Sequence, residues 1–314
     1  MSVTVELDAQ YRQLREECGV LVRERGFIDV IGPDGAEYLQ GQLTNDVEAL
    51  AVGEGQYTAL LDRKGHMQAD LRVLRVGEAA ILLDTEPATK VAVLRHLTMY
   101  SIGRDVQVGD ATAERGAISL IGPRAAEIAG TAPLPEFANE PTAVAGTDVV
   151  AVGTRDGIDL LLPLAERDRT LAALIEAGAV EVTPEAAEIV RVEAGVPRFG
   201  AEMDSATMPA EASIVEDAVS FTKGCYIGQE TVARLHYKGK PNRHLRGLRL
   251  SAAAAPGAPL RLGEKEVGRL GGAVVSPALG PIGLAIVRRE AEPGSELTVG
   301  EDGVTAEVVA LPFG

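Results

Sequence analysis

The sequence predicts an α+β protein whose body, residues 1–242, mixes helices with strands and whose tail, residues 243–314, folds as a small antiparallel β-barrel. Three observations carry this. Helical and strand patterns are interleaved throughout the body. Beyond Arg243 the texture changes to short apolar runs at 245–250, 266–270, 273–276, 282–287, 297–299 and 304–309, parted by Gly and Pro turns. No repeat of solenoid period appears along the 314 residues, which leaves a layered globular fold.

Within the body, the stretch 9–22 places Tyr11, Leu14, Cys18 and Leu21 on one helical face, with Asp8 as N-cap and Cys18 as a core residue. Residues 27–31 read as a strand closed by the Gly32-Pro33-Asp34-Gly35 turn, and 36–40 begin a short helix. The runs 57–61 and 67–75 read as strands joined as a hairpin through Asp62-Arg63-Lys64-Gly65-His66, and 79–83 adds another. Thr85 is placed as the cap of a helix with Pro87 in its first turn and Val91, Leu94, Leu97 and Thr98 as its buried stripe. Residues 116–122, 148–152 and 158–162 are further strands, separated by a Pro- and Ala-rich stretch, 131–146, read as an exposed loop. A helix at 167–177 ends on Gly178, the strand 179–182 follows, and Thr183-Pro184 opens a helix that Gly195 and Pro197 stop near Ala194.

Composition narrows the function classes. Hydrophobic residues make up 46% and charged residues 24%, a globular balance, and no apolar run nears the roughly 18–20 residues of a membrane span. No membrane contact is expected. The first eight residues carry acids and lack the basic start and apolar stretch of a secretory signal, and Cys18 and Cys225 allow at most one disulfide. A cytoplasmic protein with reduced thiols is the expectation. The formal net charge of −16 excludes bulk attraction to nucleic acid or anionic membrane. There is no phosphate-binding loop and no convincing Gly-x-Gly-x-x-Gly turn, which argues against nucleotide cofactors. His66, His96, His236, His244 and the two cysteines lack zinc-site spacing, so no metal is expected. A protein-held iron–sulfur cluster needs about four thiolates, more than this chain has.

The most informative segment is Lys223-Gly224-Cys225-Tyr226-Ile227-Gly228-Gln229-Glu230. The composition of 226–235 suits a helix once Gly228 is passed, which sets Cys225 near a helix N-terminus with Lys223 two residues earlier. Both would favour a thiolate. The bland alternative is a small buried hydrophobe. Gly224 and Gly228 point to tight turns or a close approach of backbone to a ligand.

This run resembles the signature of the YgfZ family, folate-binding relatives of the glycine cleavage T protein that include mitochondrial iron–sulfur maturation factors. Tyr38-Leu39-Gln40-Gly41-Gln42-Leu43-Thr44-Asn45-Asp46 is similar to the family's N-terminal motif. Arg191-Val192-Glu193-Ala194-Gly195 with Pro209 matches a segment shared with the T protein, and the C-terminal part looks like that superfamily's barrel. The resemblance implies three domains in a ring around a central folate cavity. It implies a cofactor too: tetrahydrofolate or a one-carbon-substituted derivative. By the same resemblance Glu193 matches the pterin-binding glutamate. Lys223, Gly224, Tyr226, Gly228, Gln229, Glu230 and Arg234 surround the folate, and Asp70 and Cys225 are the candidate catalytic groups. Asp70 matches the second acid of a T-protein pair; Ala69 occupies the first position, a departure that puts aminomethyl transfer in doubt. Glu193 could instead be a surface acid paired with Arg191 or Arg198, and Asp70 an acid on an exposed strand face.

Between Thr231 and Gly263 there is no Asp or Glu, while Arg234, Lys238, Lys240, Arg243, Arg246, Arg249 and Arg261 are basic. This strip would neutralise a polyglutamate folate tail or make a weak, salt-sensitive tRNA contact, unless it is a solvated linker and barrel edge. The function implied first is a folate-binding accessory factor whose partners are iron–sulfur client proteins or assembly factors, tRNA-modifying enzymes included. The alternatives are a folate-dependent aminomethyltransferase and a non-catalytic RNA or protein adaptor.

Overall fold

The structure, a computed structural model, describes residues 3–313. Met1 and Ser2, which open the acidic N-terminal stretch, and Gly314 lie outside the described residues. Three sheets make the framework. The five-stranded sheet runs Gly55–Leu61, Met67–Gly77, Ala80–Thr85, Gly26–Ile31, Gln107–Asp110, with every pairing antiparallel. Helix Pro87–Tyr100 covers one face through Val93 and Leu97.

The six-stranded sheet runs Val180–Glu181, Gly19–Arg23, Arg115–Ile121, Gly157–Pro163, Thr147–Thr154, Asn139–Val144. Its first pairing is parallel and the rest antiparallel. The five-stranded sheet is thus inserted between the first strand of this sheet and its partners.

The third sheet is a barrel. Arg243–Leu250 pairs with both Val304–Val309 and Gly280–Arg288, which closes six strands antiparallel and removes their free edges. Ala273–Ser276 is added outside the ring, on Gly280–Arg288.

The five-stranded sheet meets both others, and two helices bridge the six-stranded sheet to the barrel. Phe27, Leu74 and Leu82 of the five-stranded sheet pack on Ala117, Val152 and Leu161 of the six-stranded sheet. Leu61 and Met67 pack with Ile214, Tyr226 and the barrel residues Leu245 and Leu284. Helix Pro184–Glu193 packs on helix Val3–Glu16 and on the barrel's outer strand. Its start follows the sequence expectation: the Thr183 side chain accepts a hydrogen bond from the Ala186 amide, and Pro184 needs no amide partner there.

Several elements differ from expectation. The first helix is Val3–Glu16 rather than 9–22, and Asp8 lies inside it. Residues Gly19–Arg23 instead pair with Arg115–Ile121, because a strand partner on each side outweighs a helical spacing of apolar residues. Cys18 is nonetheless core, and burial pushes its thiol up to about 11. Glu86, not Thr85, caps helix Pro87–Tyr100, whose buried stripe is Thr89, Val93 and Leu97 while Val91 is exposed. The stretch read as a loop at 131–146 contains the edge strand Asn139–Val144, where an edge position tolerates Pro141. Strands Gln107–Asp110 and Pro259–Leu262 were not expected. Among the described residues no helix is long and apolar enough to cross a membrane.

Candidate active site

Strand alternation builds a polar junction between the two open sheets. Tyr57 lies opposite Arg72, Ala59 opposite Asp70 and Arg72 opposite Asp84, so these side chains share one face of the five-stranded sheet. Farther along that face come Leu74 and Leu82, which seal the dry contact between the sheets. The same division holds across the gap: Ser119 lies opposite Asp159, next to the apolar pair Ala117 and Leu161. Each facing surface is therefore half apolar and half charged.

The charged half is tightly bonded. Asp84 is fully buried and held by Arg25 and Arg72. Arg72 reaches across to Asp159 at 2.5 Å, and Ser119 Oγ donates to the other Asp159 oxygen at 2.5 Å. Arg25 also pairs with Glu86. Burial alone would raise the Asp84 carboxyl, but the two guanidiniums outweigh it and hold it below the ordinary carboxylate value.

Asp70 is the exception. Tyr57 Oη donates to one of its oxygens at 2.9 Å, while the other, Oδ1, is buried with no hydrogen-bond partner among the described residues. Burial raises its carboxyl above the ordinary value, against the pull of Arg25 and Tyr57. The same burial, with Asp70 alongside, pushes the Tyr57 hydroxyl well up, so it stays a donor. A half-buried acid biased toward its protonated form, with one buried oxygen unpartnered, suits proton transfer to or from a ligand. Ala69 points to the opposite face, into the apolar cluster with Leu60, Leu71 and Val73. Its departure from an acid thus leaves the junction unchanged.

Glu193 lies elsewhere. It ends helix Pro184–Glu193, is buried, and accepts from Tyr11 Oη at 3.2 Å, from Arg15 and from Ser276 Oγ. Arg191 and Arg198 do not pair with it: Arg191 binds Glu188 and Glu202, and Arg198 lies 3.5 Å from Glu188. Among the described residues Glu193 and Asp70 share no hydrogen-bond or ionic partner.

The run 223–230 forms a braced loop. Lys223 Nζ donates to Gln40 O at 2.7 Å, Leu43 O at 2.7 Å and Asn45 O at 2.8 Å, which uses all three ammonium hydrogens. It therefore locks the 40–45 segment in place instead of offering a free cation to a folate. Burial draws its pKa down to about 8, opposed by Asp46 and Glu48. Tyr226 is buried beneath this ammonium, 5.2 Å from ring centre to Nζ, and its hydroxyl, raised to about 12 by burial, has no hydrogen-bond partner among the described residues. Gly228 has φ +87°, and a Cβ there would meet Asp62 O at 2.6 Å; close packing on the 62–66 hairpin explains this glycine. The helix begins at Gln229, once Gly228 is passed, and Cys225 lies four residues before it. It is exposed and free. Gly224, Glu230 and Arg234 are exposed as well.

The basic strip is divided. Arg243 is paired with Glu211, whereas Lys238 and Lys240 stand exposed near the end of helix Gln229–Lys238, beside the Phe221–His236 stack. Among the described residues no group of three or more His, Cys, Asp or Glu is placed to hold a metal ion.

Sequence reasoning found Asp70 but missed Arg25, Tyr57, Arg72, Asp84 and Asp159. The available signal was charge inside apolar strands, as in Leu71-Arg72-Val73 and Ile158-Asp159-Leu160, since such a residue needs a buried partner.

Comparison with known proteins agrees with this architecture. A family model described as the GCVT N-terminal domain matches residues 3–223, and one described as the glycine cleavage T-protein C-terminal barrel domain matches 243–313. An aminomethyltransferase of Rubrobacter xylanophilus is 30% identical over 321 residues, covering 98% of this chain and 86% of that protein. One from Saccharopolyspora erythraea is 30% identical over 329 residues, covering 97% and 89%. The solved structure of the glycine cleavage system aminomethyltransferase T from Bartonella henselae superposes with a TM-score of 0.88 over 98% of this chain and 89% of that one, at 23% identity. That last likeness is one of fold.

Proposed function

Since the chain belongs to the glycine cleavage T-protein family, we propose that it is a folate-dependent one-carbon transferase of the aminomethyltransferase type, with its chemistry at the Asp70–Tyr57 junction. The observation that carries this reading is the buried, unpartnered Asp70 oxygen beside a bonded one. An orphan acceptor among polar groups fits the N–H groups of a reduced pterin ring, as carboxylates fit guanidinium groups. When bound, a reduced folate supplies the nitrogens that carry a one-carbon unit. The raised Asp70 carboxyl can take up a proton at Oδ1 or deliver one from that atom. Tyr57 fixes the other oxygen, and the carboxylate left behind is stabilised by Arg25. The Arg25–Asp84–Arg72–Asp159 chain of ion pairs keeps both strands rigid around that atom.

The expected result is saturable binding of tetrahydrofolate by calorimetry, retained in Cys225→Ala, together with formation of methylenetetrahydrofolate from an aminomethyl-lipoyl carrier. Absence of tetrahydrofolate binding would sink the proposal.

A second reading, an accessory role toward iron–sulfur enzymes including tRNA-modifying ones, is favoured by the exposed Cys225 thiol on a loop braced by Lys223. A rigid, accessible thiol suits contact with a client protein. Under this reading, deleting the gene lowers iron–sulfur enzyme activities under oxidative stress; unchanged activities would remove it.

A further inference from the structure

Helix Gln229–Lys238 and the segment 210–216 enclose a groove of about 360 Å³, within the size range of small-ligand clefts. None of its lining residues belongs to the Asp70–Tyr57 junction. Val215, Val232, Leu235 and Pro241 give it apolar walls. Its polar side chains are Ser213, Glu216 and His236, and none of these has a hydrogen-bond or ionic partner among the described residues.

His236 supplies an aromatic face. Phe221 stacks on it with ring centres 3.9 Å apart and 23° between the planes, and the exposed Tyr237 meets both rings edge-on. Phe221 lies outside the lining, so it backs His236 and leaves the other face to the groove. A flat ring entering there continues the stack.

Charge is sorted by sign. Glu216, in the first turn of the short helix Val215–Ala218, is the acid inside the groove. Lys238 and Lys240 flank the lining residue Gly239, are exposed, and form no ion pair among the described residues. An ammonium ligand would meet these lysines, and a plain anion would meet Glu216. A ligand with N–H donors on a flat ring at one end and a negative group at the other satisfies both. Ser213 has φ +58°, closing a turn in which the Ile214 amide donates to Pro209 O, a position where glycine is the ordinary residue. Serine there accepts backbone strain and sets a hydroxyl at the groove.

We propose that this groove binds a guanosine monophosphate unit. The base stacks on His236, its adjacent ring N–H and amine pair with the two oxygens of Glu216, and its phosphate lies between Lys238 and Lys240. Guanine is favoured over adenine, because adenine sets an acceptor beside its amine and that acceptor would face the carboxylate. Recognition by stacking and side chains needs no glycine-rich phosphate loop. The unit comes either as a free nucleotide or within a single strand, and the proposal is independent of the folate reading.

The test is calorimetric titration of the full chain with guanosine monophosphate, adenosine monophosphate, guanosine, and a single-stranded oligonucleotide carrying one guanosine among uridines. Guanosine monophosphate is expected to bind saturably and about tenfold more tightly than adenosine monophosphate. Glu216→Gln is expected to erase that preference, and His236→Ala to weaken both nucleotides about tenfold. Lys238→Gln combined with Lys240→Gln is expected to weaken the nucleotide but not guanosine, and to flatten the salt dependence. These side chains are exposed, so the unfolding temperature is expected to hold in all three variants. Asp70→Asn is expected to keep guanosine monophosphate binding, which separates the groove from the junction. Tighter binding of the strand than of the mononucleotide assigns the strand as the source, and the reverse order assigns the free nucleotide. The proposal is overturned if neither binds, if the two mononucleotides bind equally, if His236→Ala binds as wild type does, or if Asp70→Asn loses the nucleotide.

Discussion

Asp70→Asn is expected to lower turnover about 10²- to 10⁴-fold, the usual contribution of a positioned acid or base, while leaving the protein at least as stable as wild type at neutral pH. The two halves have one cause. Burial raises the Asp70 carboxyl in the folded state, so folding favours its protonated form. A group raised in this way contributes stability that is complete below its unfolded pKa of about 3.9 and is lost as pH rises through the folded value. At neutral pH the ionised form is a net cost, which asparagine removes while keeping the size and an acceptor for Tyr57. Thermal unfolding at pH 4 and pH 7, beside turnover at pH 7, checks this. A variant with full activity, or one that is clearly less stable only at neutral pH, would contradict the assignment.

Arg72→Leu is expected to have the largest effect on stability, about 3–5 kcal/mol at neutral pH, because it strands buried carboxylates. Arg72 serves Asp84, which has no solvent contact, and Asp159 on the facing sheet. Asp84 has a depressed pKa, so its contribution is present above about 3.9 and lost as pH falls through the folded value. Without Arg72 its carboxyl rises toward or above the ordinary range. The gap between variant and wild type should therefore narrow on acidification below about pH 4, where the stranded groups take up protons. Urea unfolding at the two pH values measures it, and a pH-independent loss would point to packing instead.

Where turn chemistry and local pattern agreed, the fold was legible in the sequence. The hairpin around Asp62–His66, the Thr183 cap and the Gly178 stop all stand as expected, since each is decided within a few residues. The boundary between Glu16 and Gly19 was not legible, because the spacing of Tyr11, Leu14, Cys18 and Leu21 satisfies a helix and only distant strands claim the second half. The closed barrel was readable from its Gly-parted runs, although Pro259–Leu262 was not. At the candidate site, Asp70 stood out from its neighbours, but its companions come from strands up to about a hundred residues away in sequence and meet only through sheet register. Lys223 shows the opposite error: a cation in a glycine-rich motif suggested a ligand, and three backbone carbonyls had already claimed it.

The placement of Glu193 carries one more consequence. Its carboxylate accepts from the first helix through Tyr11 and Arg15 and from the barrel's added strand through Ser276, partners 182, 178 and 83 residues distant in the chain. It works as a keystone among three segments. Glu193→Gln is therefore expected to let helix and barrel shift against each other, and Ser276→Ala should reproduce part of that loosening from the opposite side of the same joint.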